Sequence, residues 1–195
     1  LAAVIAFQLP RLRPELKEGA PPRPGFGGML TAWRFARPDP QTMSTLLAKT
    51  PQAMSNSAGW IALNLLAGSR ITTLELSLSI GFMQAIRAIG TGVGPLVPES
   101  WYPLRSNLGT PFAMLGVVVF CLSDNPWFFL PALVLWGMGG GHNWVSSTAE
   151  LQHVTPNHLL GRMVALDFML FCVSSALIGI AVGVAIDQTQ SVVGP

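Results

Sequence analysis

Charge is scarce in this chain. Its 195 residues hold 11 Lys or Arg and 9 Asp or Glu, about a tenth of the sequence, while half of it is hydrophobic. Soluble domains carry about 25% charged residues, so a soluble fold of this composition would have too little polar surface to cover itself. The net charge of +2, with no basic patch interleaved with stacking aromatics, argues against a nucleic-acid partner. Cysteine is limited to Cys121 and Cys172, both inside apolar runs, which argues for membrane-buried thiols and against a disulfide framework. The histidines, His142, His153 and His158, lack a metal-ligand spacing such as HExxH, so neither a metal site nor a cofactor is expected. The glycine-rich "GTGVG" at 90–94 lies inside an apolar stretch with no strand before it and Pro95 after it, unlike a phosphate-cradling loop. No nucleophile constellation can be read from residue order, and an enzyme is not expected.

Long apolar runs are what the chain does have. Residues 127–145 and 163–186 flank a polar elbow, "AELQHVTPNHLLGRMVAL", and neither run shows the alternating polar face of a soluble helix. Such runs read as membrane spans, because a helix satisfies its own backbone hydrogen bonds in lipid. Five candidate spans follow one another at 45–67, 74–97, 108–122, 127–147 and 163–186, giving an all-α, polytopic transmembrane bundle over 42–195. Residues 1–9 read as the end of a further transmembrane helix. Residues 10–41 hold seven of the 16 prolines and six of the 11 basic residues, so they read as a surface linker. Within it "GGMLTAWRFARPD" has the pattern of a short amphipathic helix ended by Pro38 and Pro40. Met29, Leu30, Trp33 and Phe35 would lie against the membrane or the bundle.

Short connections make sequential helices antiparallel. On that alternation the linker, Lys49, Arg105 and Arg162 share one side, nine basic residues in all, and Arg70 stands on the other with Asp124 and Asp187. The basic side is the cytoplasmic one, which puts the linker and the elbow in the cytoplasm.

Ionisable groups inside spans are expensive and tend to be functional. Arg87 lies midway along the second span, on one stripe with Ser77, Gln84 and Thr91. The stripe lines a wet cavity or clamps a neighbouring helix; the two readings carry equal weight. Weaker stripes are Asn56, Trp60 and Asn64 on the first span, and Trp136, Asn143 and Ser147 beside His142 on the fourth. Asp167 and Ser174 share a face of the fifth, and Asp167 is the nearest acidic candidate by depth for Arg87. Together these groups would form an amphipathic ligand pocket; singly each is more often glue between helices. The pairs Gly90/Gly94, Gly137/Gly141 and Gly179/Gly183 would let helices approach closely.

The elbow resembles the cytoplasmic connection between the tenth and eleventh helices of the major facilitator superfamily, in the efflux branch of enterobactin-exporter-like permeases. Gln152, Pro156, Gly161 and Arg162 carry the resemblance. "GFMQAIRAIGTGVGPL" resembles that branch's glycine-rich eighth helix, and the basic linker its central loop. The chain departs from the pattern in "NLLAGSR", which lacks a proline near the end of the seventh helix, and at 101–107, where Arg105 is the only charge. The resemblance implies the C-terminal half of a twelve-helix secondary transporter whose N-terminal six-helix half is missing from this sequence. Gln152, Pro156, Gly161 and Arg162 would then belong to gating. Such a protein exports a small amphipathic molecule by alternating access with a proton as coupling ion, in contact with membrane lipid. The rival readings are a membrane-embedded enzyme, or a transporter-like sensor or scaffold without flux.

Overall fold

A computed structural model describes residues 26–96 and 109–192, and among the described residues there are helices and turns but no strand. The helices are α1 (Phe26–Ala36), α2 (Pro40–Leu47), α3 (Lys49–Arg70), α4 (Leu76–Val93, prolonged by a 3-10 turn Gly94–Leu96), α5 (Gly109–Leu122), α6 (Pro126–Val154) and α7 (Leu160–Val192). The helix end expected at 1–9, the linker's Arg11, Arg13, Lys17 and Arg23, and Arg105 lie outside the described residues.

Two helices begin on an Asx-Pro pair. Asp39 accepts from the Gln41 and Thr42 amides ahead of Pro40, and Asn125 accepts from the Trp127 amide at 3.0 Å ahead of Pro126. Each side chain takes up an amide that the first helical turn leaves free, and proline fits the position after the cap because it has no N–H to lose. The span expected at 45–67 is broken into α2 and α3 at Ala48. Pro51 explains the break: it cannot donate to the Leu47 carbonyl, and its ring crowds that position.

The contacts fix the helix directions. Lys49, Ala53 and Ser57 of α3 meet Asp167, Ser175 and Gly179 of α7 in ascending order, so α3 and α7 run parallel. Gly90 and Gly94 of α4 meet Val134 and Met138 of α6, again ascending, whereas Gly109 and Gly116 of α5 meet α6 at Gly139 and Ala132 in descending order. Thus α3 to α7 alternate in direction, with α6 lodged between α4 and α5 and α7 laid mainly along α3.

The α4–α6 seam is closed by glycine. A Cβ on Gly90, Gly94, Gly137 or Gly141 would stand 2.0–2.2 Å from a carbonyl oxygen of the facing helix. No side chain fits there, and the two backbones touch directly. Gly179 and Gly183 form no such seam: a Cβ on Gly179 would meet only the Ser57 hydroxyl, at 3.2 Å, and nothing lies within 4 Å of one on Gly183.

Two apolar cores sit at opposite ends of α6. One gathers Leu63, Met83, Phe120, Phe129, Leu133 and Trp136; the other joins Ala32, Ala36 and Leu46 to Leu151, Leu159 and Met163. Beside the first core Arg70 lies 5.7 Å from the rings of both Phe120 and Phe129, donates to the Cys121 carbonyl at 3.0 Å and pairs with Asp124 at 3.3 Å.

Two helices are long and apolar enough to cross a membrane, Leu76–Leu96 and Leu160–Thr189; Gly109–Leu122 is apolar but shorter. The other two expected spans, in α3 and α6, are long enough but carry too many polar residues and glycines to pass on composition. The elbow is also shorter than the sequence suggests. α6 continues through Glu150, Leu151 and Gln152 to Val154, and α7 begins at Leu160, so the turn is 155–159.

Candidate functional site

Two polar clusters occupy the level between the cores. The first is sealed. Lys49, in the first turn of α3, donates to Asp167 of α7 at 2.5 Å and to the Thr148 hydroxyl of α6 at 2.8 Å. Both charged side chains are about 95% buried, and the Trp144 ring lies 4.8 Å from the ammonium. One turn along α3, Gln52 donates to the Gly140 carbonyl at 2.9 Å and accepts from Asn143, which is also within reach of the Ala48 carbonyl. Ser147 returns its hydroxyl to the Asn143 carbonyl. The cluster ties α3 to α6 and α7, and two of its acceptors, Asp167 Oδ1 and Asn143 Oδ1, are buried without a partner.

The second cluster is open. Arg87 of α4 lies between two indoles, 5.1 Å from the Trp60 ring of α3 and 5.0 Å from the Trp136 ring of α6. Its Nε donates to Gln84 Oε1 at 3.0 Å, and Gln84 Nε2 is buried without a partner. Thr91 donates its hydroxyl to the Arg87 carbonyl at 3.1 Å.

Glycine next to each tryptophan makes the bracket possible. A Cβ on Gly59 would stand 2.7 Å from the Trp136 ring, and one on Gly137 would stand 2.0 Å from the Arg87 carbonyl. The first lets the Trp136 indole lie against α3; the second brings α6 against α4 at the level of the guanidinium.

The sequence-derived site residues separate into these clusters. Gln84, Arg87, Thr91, Trp60 and Trp136 come together, and Asn143 and Asp167 belong to the sealed cluster. His142 is buried on α6 beside Gly94. Asn56 is half-buried on α3; Asn64 is exposed and returns its amide to the Trp60 carbonyl at 2.8 Å. The expected Arg87–Asp167 partnership is not formed. Lys49 takes the carboxylate because α7 packs along α3, whereas α4, which carries Arg87, makes no contact with α7. Lys49, counted from sequence among the basic residues of the cytoplasmic side, is buried and ion-paired, and with Gln52, Trp144 and Thr148 it is what sequence reasoning missed as a site residue. The signal for Lys49 was its place within a turn of an apolar run.

At the elbow Gln152 and Pro156 are exposed, and nothing lies within 4 Å of a Cβ on Gly161. The stem of Arg162 lies over Gly28 of α1, 3.4 Å from where its Cβ would be, so this arginine holds α1 against the start of α7. Farther along α7, Leu166, Met169 and Leu170 face Met29, Leu30 and Trp33 of α1 across an apolar cleft of about 580 Å³. Among the described residues no three His, Cys, Asp or Glu gather as metal ligands would. No family model, curated protein or solved structure matches this chain.

Proposed function

We propose that this chain is the C-terminal half of a secondary active transporter of the major facilitator type, moving a small amphipathic molecule across a plasma membrane by alternating access with proton coupling. The observation that carries the reading is the inverted polarity of α7. Only 6% of its apolar window is buried, whereas Asp167, the one charge between residues 163 and 186, is 4% exposed and ion-paired. A helix of a soluble fold turns its apolar side in and its charge out; a helix in lipid does the reverse.

The low hydropathy of α3 and α6 fits the same bundle. α6 lies between α4 and α5 and presents little surface to lipid, so glycine, Asn143 and Ser147 there meet other helices and not acyl chains. The indole-bracketed Arg87, with Gln84 and Thr91, would face the substrate route at the midplane between the two halves, where such transporters bind. The sealed Lys49–Asp167 pair is the intramembrane acid–base couple through which a proton could act. The elbow residues Gln152, Pro156, Gly161 and Arg162 would lie on the cytoplasmic side.

The test is flux in vesicles. The complete protein, reconstituted in liposomes with an imposed pH gradient, should move ethidium or fluorescein faster than protein-free vesicles. Arg87→Ala should abolish that movement while inserting normally, and Arg87→Lys should restore little, because an ammonium cannot reproduce the planar fork. Flux of both dyes at the protein-free rate would sink the transport reading and favour a ligand-binding scaffold. Wild-type flux in Arg87→Ala would remove Arg87 from the route.

A further inference from the structure

Among the described residues Arg87 is a cation with no anion: no carboxylate lies within ion-pair distance of it, since Asp167 is taken by Lys49 and Asp124 by Arg70. Of its guanidinium donors Nε alone is engaged, with Gln84 Oε1, and both Nη groups have no hydrogen-bond partner. The same bond fixes the Gln84 amide: its oxygen meets the arginine, so its nitrogen is the buried atom left without an acceptor. Two unsatisfied donors, one cationic and one neutral, therefore stand side by side on α4, three residues apart on one face.

The chain's other aromatic-bracketed arginine shows that stacking alone is not how this protein completes such a group. Arg70, between Phe120 and Phe129, also holds a carboxylate and a backbone carbonyl of its own chain. Arg87 has the bracket without the acceptors. The place is also too deep for a lipid phosphate: six residues separate Arg87 from Val93 at the end of α4, roughly 9 Å of helix. The indole of Trp60, 38% exposed, offers flat apolar surface beside the charge, while Trp136 is buried behind it.

We infer that Arg87 and Gln84 form an oxyanion-binding site, and that its ligand is an amphipathic carboxylate whose carboxyl group meets the Arg87 Nη edge and Gln84 Nε2 while its apolar or aromatic body lies against Trp60. This rests on the proposed function in taking the Arg87 face as the substrate site, and it adds the sign of the substrate's charge. A guanidinium matches a carboxylate through paired N–H donors, and the neighbouring amide adds a donor that an ammonium would leave unsatisfied and a neutral ester carbonyl would meet only more weakly.

Binding separates this proposal from transport. The complete protein in phosphatidylcholine nanodiscs is titrated with naphthoate, methyl naphthoate and naphthylmethylamine, three probes of one shape and different charge, by calorimetry. Naphthoate should bind at least about tenfold more tightly than the ester or the amine, the ratio given by one charge-assisted hydrogen bond. Arg87→Gln should bring the three affinities together, and Gln84→Leu should weaken naphthoate alone by a smaller factor. The wild-type series decides the sign of charge even where a variant does not fold. Amine or ester binding as tightly as naphthoate, or naphthoate affinity unchanged in Arg87→Gln, overturns the site. Loss of naphthoate binding in phosphatidylglycerol nanodiscs would give the fork to a lipid headgroup and overturn the free carboxylate as well. Selective naphthoate binding without dye flux would keep the site and sink the transporter; ethidium flux without naphthoate binding would do the opposite.

Discussion

Arg70 and Arg87 are built alike and finished differently. Each guanidinium lies between two aromatic rings, at 5.7 Å from Phe120 and Phe129 in one case and at 5.1 and 5.0 Å from Trp60 and Trp136 in the other. Arg70 goes on to bind Asp124 and the Cys121 carbonyl, which closes the turn before α6 onto the end of α3 and leaves its Nη1 buried without an acceptor. Among the described residues the Arg87 guanidinium hydrogen-bonds only to Gln84, three residues earlier on its own helix. An arginine supplied with acceptors from its own chain is spent on holding the fold together. One that is stacked and positioned yet short of acceptors contributes less to the fold and is available to something else. The comparison predicts that stability and function divide between groups according to how completely the chain satisfies them.

The largest effect belongs to the most deeply buried ion pair, Lys49–Asp167. Lys49→Ala leaves the Asp167 carboxylate buried with only dipoles for company, and Asp167→Ala strands the ammonium. Each should cost about 3–5 kcal/mol of stability, the usual penalty for breaking a buried pair from one side. The double variant Lys49→Met/Asp167→Leu removes both charges and should recover most of that loss, read as thermal unfolding in detergent. Additive losses in the double variant would mean that the two residues do not act as a pair.

How much of this could be read from sequence follows from what sequence periodicity reports. Composition and apolar runs give the helices and the stripes on them, and that put Trp60, Gln84, Arg87 and Trp136 among the candidate pocket residues, pooled with Asn143 and Asp167, which belong to the other cluster. Periodicity does not say which helices face each other. The Lys49–Asp167 pair spans 118 residues and depends on α7 lying along α3, so periodicity gives Lys49 only as a charge at the cytoplasmic end of its span and Asp167 only as a candidate by depth for Arg87. Proline and the elbow erred at the local level. Pro51 split an expected single span into α2 and α3, and the good helix formers Glu150, Leu151 and Gln152 carried α6 into what composition marked as a turn.

A smaller effect sharpens the contrast between the two arginines themselves. Arg70→Leu removes a carboxylate contact, a carbonyl contact and two ring contacts from a side chain that is 4% exposed, and should lower stability by about 2 kcal/mol. Arg87→Leu removes ring contacts and one local hydrogen bond from a half-buried group, and should lower it by about 1 kcal/mol or less. Unfolding of the two variants side by side gives the order, and the proteoliposome assay should give the reverse order for flux. If Arg87→Leu is the more destabilising of the two, Arg87 is a clamp like Arg70 and its missing acceptors have no functional meaning.

The smallest effect concerns a charge in full solvent, where satisfaction is local and pH can remove it. Asp39 caps α2: its carboxylate accepts the Thr42 hydroxyl at 2.5 Å, the Thr42 amide at 3.0 Å and the Gln41 amide at 3.3 Å. These bonds, the Thr42 hydroxyl first, hold its pKa below the ordinary aspartate value of 3.8. A carboxylate whose pKa is lower in the folded state binds its proton more readily when unfolded, so its stabilisation is complete above the unfolded value. It fades as pH falls through the lowered folded one. Acidification through that window should therefore fray α2, seen as faster hydrogen exchange at the Gln41 and Thr42 amides. Asp39→Asn keeps an acceptor at the cap but cannot titrate, so its exchange at those amides should lack the acid step. The fraying should stop at Ala48, because Pro51 already separates the hydrogen-bond ladder of α2 from that of α3. An acid step of equal size in Asp39→Asn would place the titrating group elsewhere and leave the cap without a role in the pH response.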